Sequence, residues 1–192
     1  SLSSLTPLVR LTSLDNNQIK RVMDAGAEGI IVPNICTINQ AKKAVAATRY
    51  APLGNRGVGL ARAQGYGERF KEYLDWQKNN PIVIVQIENI EAMADLKGIF
   101  NVEGVDGFMI GPYDLSASMG IAGDFKCKEF KDTINFILKT GKECGLAPGI
   151  HIVEPDTQLL KKSISDGFKF IAYSVDIRMI ASISNKYKEI YK

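Results

Sequence analysis

The chain has 192 residues, 45% hydrophobic and 23% charged, the profile of an ordinary globular domain long enough to bury a core without a staple. Its 24 Lys and Arg against 21 Asp and Glu leave +3, and the basic residues are scattered, so the balance gives no nucleic-acid or membrane footprint. Cys36, Cys127 and Cys144 stand far apart and outside any CxxC pair, and His151 is the only imidazole, so a zinc site finds no ligand pattern.

Strand-like runs alternate with helical patterns along the whole chain. Strands are expected over residues 8–11, 30–32, 82–88, 107–110, 149–152 and 170–174. Most are short, β-branched and bounded by Gly or Pro, as buried parallel strands are. Between them, "NNQIKRVMDAG" ends on a glycine stop, and "TINQAKKAVAATRY" opens on Thr37 as an N-cap. Residues 34–81 hold two helical patterns around the loop "LGNRGVGLARAQGYG". "CKEFKDTINFILKTGKECG" then carries Phe130, Ile134, Ile137 and Leu138 as a helical stripe, and "EPDTQLLKKSISDG" closes on Gly167. Six strand–helix units with no polar linker mean one parallel α/β domain over residues 1–192. Six units fit a doubly wound sheet or most of a (β/α)8 barrel, whose two further strands find no sequence here. No apolar run approaches the ~20 residues of a membrane helix. "SLSSLTPLVR" lacks a charged start with an apolar stretch behind it. Free thiols then suit a reducing cytoplasm.

Two of the strands run into carboxylates: "VIVQIE" ends on Glu88, and "FMIGPYDLS" carries Asp114 three residues beyond Gly111. In parallel α/β folds the site lies at the carboxyl ends of the strands. Neighbouring strands lie roughly 4.8 Å apart, so the two acids can share one ion and leave the rest of its coordination open. An all-oxygen pair favours Mg²⁺ or Mn²⁺, and a cation also explains how two like charges stay ionised side by side. Gly111 admits a ligand close to the backbone, and the amides near Tyr113 and Asp114, at the start of a short helix, can hold a carboxylate. A structural reading stands beside this one: Asp114 caps the helix "LSASMG", and Glu88 pairs with Arg10 or a lysine. Arg10 ends the strand-like "PLVR" at the same level. It suits a carboxylate or a developing oxyanion, or an ion pair with one of the acids.

The segments "PLVR", "DAGAEGIIVPN", "AVAATRYAPLGNRGVG", "VIVQIE", "VEGVDGFMIGPYDLSASMG" and "APGI" together resemble the HpcH/HpaI aldolases, and the resemblance covers essentially all 192 residues. It implies a TIM barrel of the phosphoenolpyruvate/pyruvate type and a metal-dependent class II pyruvate aldolase. Such an enzyme cleaves a 4-hydroxy-2-oxo acid reversibly to pyruvate and an aldehyde. By the resemblance, Glu88 and Asp114 are the two protein ligands of a divalent Mg²⁺, Mn²⁺ or Co²⁺ ion. Arg10 contacts the keto and enolate oxygen, Gln86 sits beside the ion's waters, and the backbone of Gly111, Pro112, Tyr113 and Asp114 takes the pyruvate carboxylate. A Schiff-base route would need a lysine at a strand's carboxyl end, and Lys169 starts its strand instead. Arg62 matches an arginine in a long loop near the family's site, with a solvated loop charge as the plainer reading. His151 departs from the family, which has an aliphatic residue after "PGI" more often. It either helps choose the aldehyde or packs as a satisfied histidine.

The resemblance also exposes a gap. The family's first two strands, with a "D-x-E-H" stretch whose histidine assists proton transfer, match nothing here, since the chain opens just before strand three. A six-strand remainder would leave two strand flanks open, so the expectation is a longer polypeptide. The family forms hexamers as dimers of trimers. "DIRMIASISNKYKEIYK", with Ile177, Ile180, Ile183 and Ile190, suits a terminal helix packing on a neighbour or on its own barrel. Two further functions stay open: a citrate-lyase-β-like acyl-CoA lyase, and a non-catalytic barrel that binds metal and an oxo acid.

Overall fold

The computed structural model describes residues 5–188, so Ile190 lies outside the described residues. Six parallel strands form one sheet: β1 Leu8–Arg10, β2 Gly29–Val32, β3 Ile82–Ile87, β4 Gly107–Ile110, β5 Ala147–Ile152 and β6 Phe170–Tyr173. Each pairs with the next in chain order, β1-β2-β3-β4-β5-β6. A doubly wound sheet reverses its order at a switch point, and this order never reverses. The helices agree with that. α1 Asn16–Asp24 packs on α2 Ile38–Thr48, α2 on α4 Leu96–Phe100, and α4 on α6 Lys128–Glu143, one layer on one side of a curling sheet. Also present are α3 Phe70–Asn79, α5 Pro112–Ser118, α7 Thr157–Ser165 and α8 Asp176–Lys188. Among the described residues no helix is long and apolar enough to cross a membrane.

Period-two alternation sorts the strand side chains into two clusters. Val83, Val85 and Ile87 of β3, with Phe108 and Ile110 of β4, point to the helices and join Ile19, Met23, Leu96 and Ile137 in the main core. Each fully buried aliphatic there stabilises by about 1.5–3 kcal/mol. Phe108 stacks on Phe100 at 4.6 Å, and a Cβ at Gly141 of α6 would sit 2.2 Å from the Phe108 ring. The other face carries a small plug of Ile31, Ile84 and Met109, flanked by Ile82, Phe170 and Ala172. β2 and β4 are buried at every residue, whereas β1 and β6 are only half covered, as strands with one neighbour are.

Local chemistry sets the element ends. Thr37 and Gln40 close a full capping box on α2, and Asp15 and Asp156 cap α1 and α7. β5 starts two residues before the expected strand and takes in Pro148, whose carbonyl still accepts the Lys169 N–H. α5 starts earlier than "LSASMG": its N-cap is Gly111 and its first residue Pro112. Asp114 therefore stands inside the first turn and does not cap the helix.

Candidate active site

The carboxyl end of the sheet gathers a connected polar set above the apolar plug. Gln86 is the last inward residue of β3, and Glu88 follows one strand period later. Arg10 at the end of β1 donates from Nε to Gln86 Oε1 at 3.3 Å. Gln86 Nε2 in turn donates to Glu88 Oε2. The other Glu88 oxygen, Oε1, accepts the Asn34 backbone N–H at 2.8 Å. Arg10 and Glu88 are thus joined through Gln86; no direct ion pair links them among the described residues. Glu88 and Gln86 are each 7% exposed.

Gly111 gives this carboxylate its open side. The residue follows β4 beside Glu88, and a Cβ there would lie 2.8 Å from Glu88 Oε2 and 3.0 Å from Gln86 Nε2. Only glycine leaves that oxygen unobstructed. Its lack of a side-chain cap also leaves the first N–H groups of α5, those of Tyr113 and Asp114, without a side-chain partner. The Tyr113 ring turns away, edge-on to Phe125 at 5.0 Å, so only its backbone faces this end. Asp114 is exposed in the first turn of α5.

Burial pushes the Glu88 carboxyl above its ordinary range, and the nearby Asp114 charge pushes it further. The Asn34 N–H, the Arg10 charge and the Gln86 amide pull the other way without cancelling the rise. A group held this way favours losing its charge unless a cation compensates it. A divalent ion therefore fits the residues present: two oxygen donors of like charge, one desolvated, beside a glycine gap. No three His, Cys, Asp or Glu side chains converge among the described residues, so protein atoms would leave most of an ion's positions to water and substrate.

Arg62 is not brought to this end. Its Nη1 donates to the Ala25 carbonyl at 2.7 Å, between α1 and the start of β2. The length of β3, roughly 20 Å at strand rise, separates that position from Glu88. The cause is the 53–67 loop, which folds back across the end of α1. Gln64 of that loop donates to Gly59 O and to the Tyr50 hydroxyl and fixes its course. There Arg62 borders an open cleft of about 440 Å³ with Glu28, Arg69, Glu72, Tyr73 and Trp76. His151 stands half-buried on β5, opposite Ala172 of β6. The strand-end motifs do not single out Asn34. Its backbone is left-handed, φ 52°, and this turns its N–H toward Glu88. The signal was available: an asparagine directly after Pro33 at a strand end is a residue that tolerates this conformation.

Known proteins resemble this chain in sequence and in fold. The profile described as HpcH/HpaI aldolase/citrate lyase matches residues 2–182. A 4-hydroxy-2-oxo-heptane-1,7-dioate aldolase of Shigella flexneri is 44% identical over 177 residues, 91% of this chain and 65% of that protein. The chain thus spans just under two thirds of that relative's length. The crystal structure of an HpcH/HpaI aldolase/citrate lyase family protein from Burkholderia cenocepacia J2315 superposes with a TM-score of 0.89 at 31% identity, over 97% of this chain and 74% of that one. The HpcH/HpaI aldolase from Desulfitobacterium hafniense DCB-2 gives 0.85 at 25% identity, over 96% and 71%. By sequence and by fold, the chain belongs to the HpcH/HpaI aldolase/citrate lyase family.

Proposed function

We propose that this protein is a divalent-metal-dependent aldolase that cleaves a 4-hydroxy-2-oxo acid to pyruvate and an aldehyde, and runs the reverse condensation. The observation that carries the reading is Glu88: a carboxylate only 7% exposed, tied through Gln86 to Arg10, open on the Gly111 side and pressed by the charge of Asp114. The name of the Shigella relative favours an aldolase over an acyl-CoA lyase. Six consecutive parallel strands with one partner each for β1 and β6 support strands three to eight of a (β/α)8 barrel.

Glu88 and Asp114 would hold the ion, Mg²⁺, Mn²⁺ or Co²⁺, which supplies Lewis-acid polarisation of the substrate's oxo and carboxylate oxygens. The chain's own residues do the rest of the positioning. Gln86 and the Asn34 N–H orient the two Glu88 oxygens. Arg10 uses Nε on Gln86, which leaves its terminal nitrogens for the oxo oxygen. In cleavage the C4 hydroxyl proton passes to solvent, the C3–C4 bond breaks to leave C4 as the aldehyde, and its electron pair forms the pyruvate enolate, whose C3 then takes a proton from solvent. Arg10 meets the negative charge that grows on the oxo oxygen. The free N–H groups of Tyr113 and Asp114 face the substrate carboxylate, and Pro112 at the first helical position fixes where that turn starts. Exposed Ile177, Ile180 and Ile183 on α8 support a homo-oligomer, to be read by sedimentation.

Full-length protein should release pyruvate from 4-hydroxy-2-oxoheptane-1,7-dioate or a shorter 4-hydroxy-2-oxo acid when Mg²⁺, Mn²⁺ or Co²⁺ is supplied. Silence across that panel with all three ions overturns the reading.

A further inference from the structure

The turn after β2 decides how Glu88 is presented. Val32 ends the strand, Pro33 follows, and Asn34 then takes a left-handed backbone, φ 52°. That reversal sends the Asn34 N–H to Glu88 Oε1 at 2.8 Å, and the next N–H, that of Ile35, to the Gln86 carbonyl at 3.3 Å. The turn is fastened from behind as well. Cys36 Sγ donates to Asn34 Oδ1 at 3.5 Å, and Gln40 Oε1 accepts the backbone N–H groups of Cys36 and Thr37 at 2.7 and 3.0 Å. Pro33 and Ile35 are buried on either side, while Asn34 is exposed. Its side chain therefore fills no core space, and its backbone conformation is what the site uses.

The two Glu88 oxygens face different surroundings as a result. Oε1 is tied to the turn, and Oε2 lies toward the Gly111 gap, 2.8 Å from where a Cβ would stand. We infer that Asn34 is a positioning residue that sets which metal the site prefers. By holding Oε1 back from the gap, it makes Glu88 a one-oxygen ligand and favours Mg²⁺ over Ca²⁺. Mg²⁺ demands a near-ideal octahedron, which the narrow bite of a two-oxygen carboxylate distorts, whereas the larger Ca²⁺ readily takes both oxygens of one carboxylate. Asparagine tolerates the left-handed backbone, alanine resists it, and a β-branched residue resists it more. This inference rests on the metal-dependent reading above, and Asn34 acts on the ion only through Glu88.

The test is calorimetric titration of the full-length, metal-free protein with Mg²⁺ alone and with Ca²⁺ alone, without substrate. Wild type should bind Mg²⁺ more tightly than Ca²⁺. Asn34→Val should lower the ratio of the Ca²⁺ Kd to the Mg²⁺ Kd by about tenfold, the worth of one hydrogen bond to a charged group. Asn34→Ala, with less strain, should lower it by about threefold. Asn34→Gly adopts the turn freely and should keep the ratio within about twofold of wild type. A merely structural role would ease unfolding in urea and leave the ratio where it was. An unchanged ratio in both Asn34→Val and Asn34→Ala overturns the inference. A ratio lost equally in Asn34→Gly also overturns it, because the side chain and not the turn would then matter. A wild type that binds Ca²⁺ as tightly as Mg²⁺ overturns it and leaves the aldolase reading in place. A wild type that binds neither ion overturns both.

Discussion

The two ends of the sheet use charge in opposite ways. At the amino end, the 53–67 loop and α3 enclose Arg56, 4% exposed, with its guanidinium 4.4 Å from the centre of the Tyr50 ring and one nitrogen 2.8 Å from the Tyr73 hydroxyl. That charge is held by aromatic faces and a phenol, as a structural cation is. At the carboxyl end, Glu88 is held near another acid, with its charge opposed by burial and a gap left at Gly111. The amino end also holds an open cleft of about 440 Å³. The proposed site rests on a different feature, a desolvated charge with an unfilled side.

The sharpest way to break this comparison is to remove one charge from each end. Glu88→Ala should lower kcat/KM for pyruvate release by roughly a thousandfold, about 4 kcal/mol of barrier. Arg62→Ala, at the opposite end, should change it by less than about threefold. A readout without turnover makes the same cut. Mg²⁺ at a hundred times its Kd should stabilise the wild type against unfolding by about 2.7 kcal/mol, and this gain should vanish in Glu88→Ala. Equal losses in the two variants would mean that the ends are not distinct.

Much of this division was legible in the residues. The six strands lie within two residues of their expected bounds because β-branched apolar runs bounded by Gly or Pro have few other uses in a globular chain. Arg10, Glu88 and Gly111 are legible because strand ends in parallel folds point one way, whereas Gln86 follows from the resemblance. Sheet order was legible only through the resemblance, since composition does not distinguish a reversing order from a sequential one. For Arg62 the resemblance and the plainer reading of a solvated loop charge stay open in the sequence, because the course of that loop depends on Gln64, Tyr50 and Gly59, contacts between residues 5 to 14 apart whose pairing no periodicity encodes. Asn34 escaped because it acts through its backbone N–H.

Arg56→Ala sharpens the comparison from the stability side. It removes the contacts to both tyrosine rings and the hydrogen bond to Tyr73, so unfolding in urea should become easier by about 2–3 kcal/mol. The Mg²⁺ response should remain. Gly111→Ala should do the reverse. A methyl group 2.8 Å from Glu88 Oε2 must displace the carboxylate, so activity should fall about ten- to a hundredfold while stability changes by about 1 kcal/mol. If the alanine variant were fully active, the gap beside Glu88 would have no catalytic use.

The smallest effect concerns Tyr73 and is read from pH. Burial raises its phenol above the ordinary value of 10.0; the Arg56 charge and hydrogen bond oppose the rise but do not reverse it. The folded chain therefore keeps a proton that the unfolded chain releases once pH passes the ordinary tyrosine value. Between that value and the raised one the folded state binds more protons, so stability falls as pH rises. At pH 9 the wild type should be more stable than Tyr73→Phe by about 1 kcal/mol, the worth of the hydrogen bond to Arg56. That advantage should shrink as urea titrations are repeated toward pH 11, because only the wild type carries the phenol. An advantage that grew with pH would mean the phenolate is the favoured partner of Arg56. The amino end would then hold a charge pair in place of a neutral aromatic cage, and its contrast with Glu88 would lose its basis.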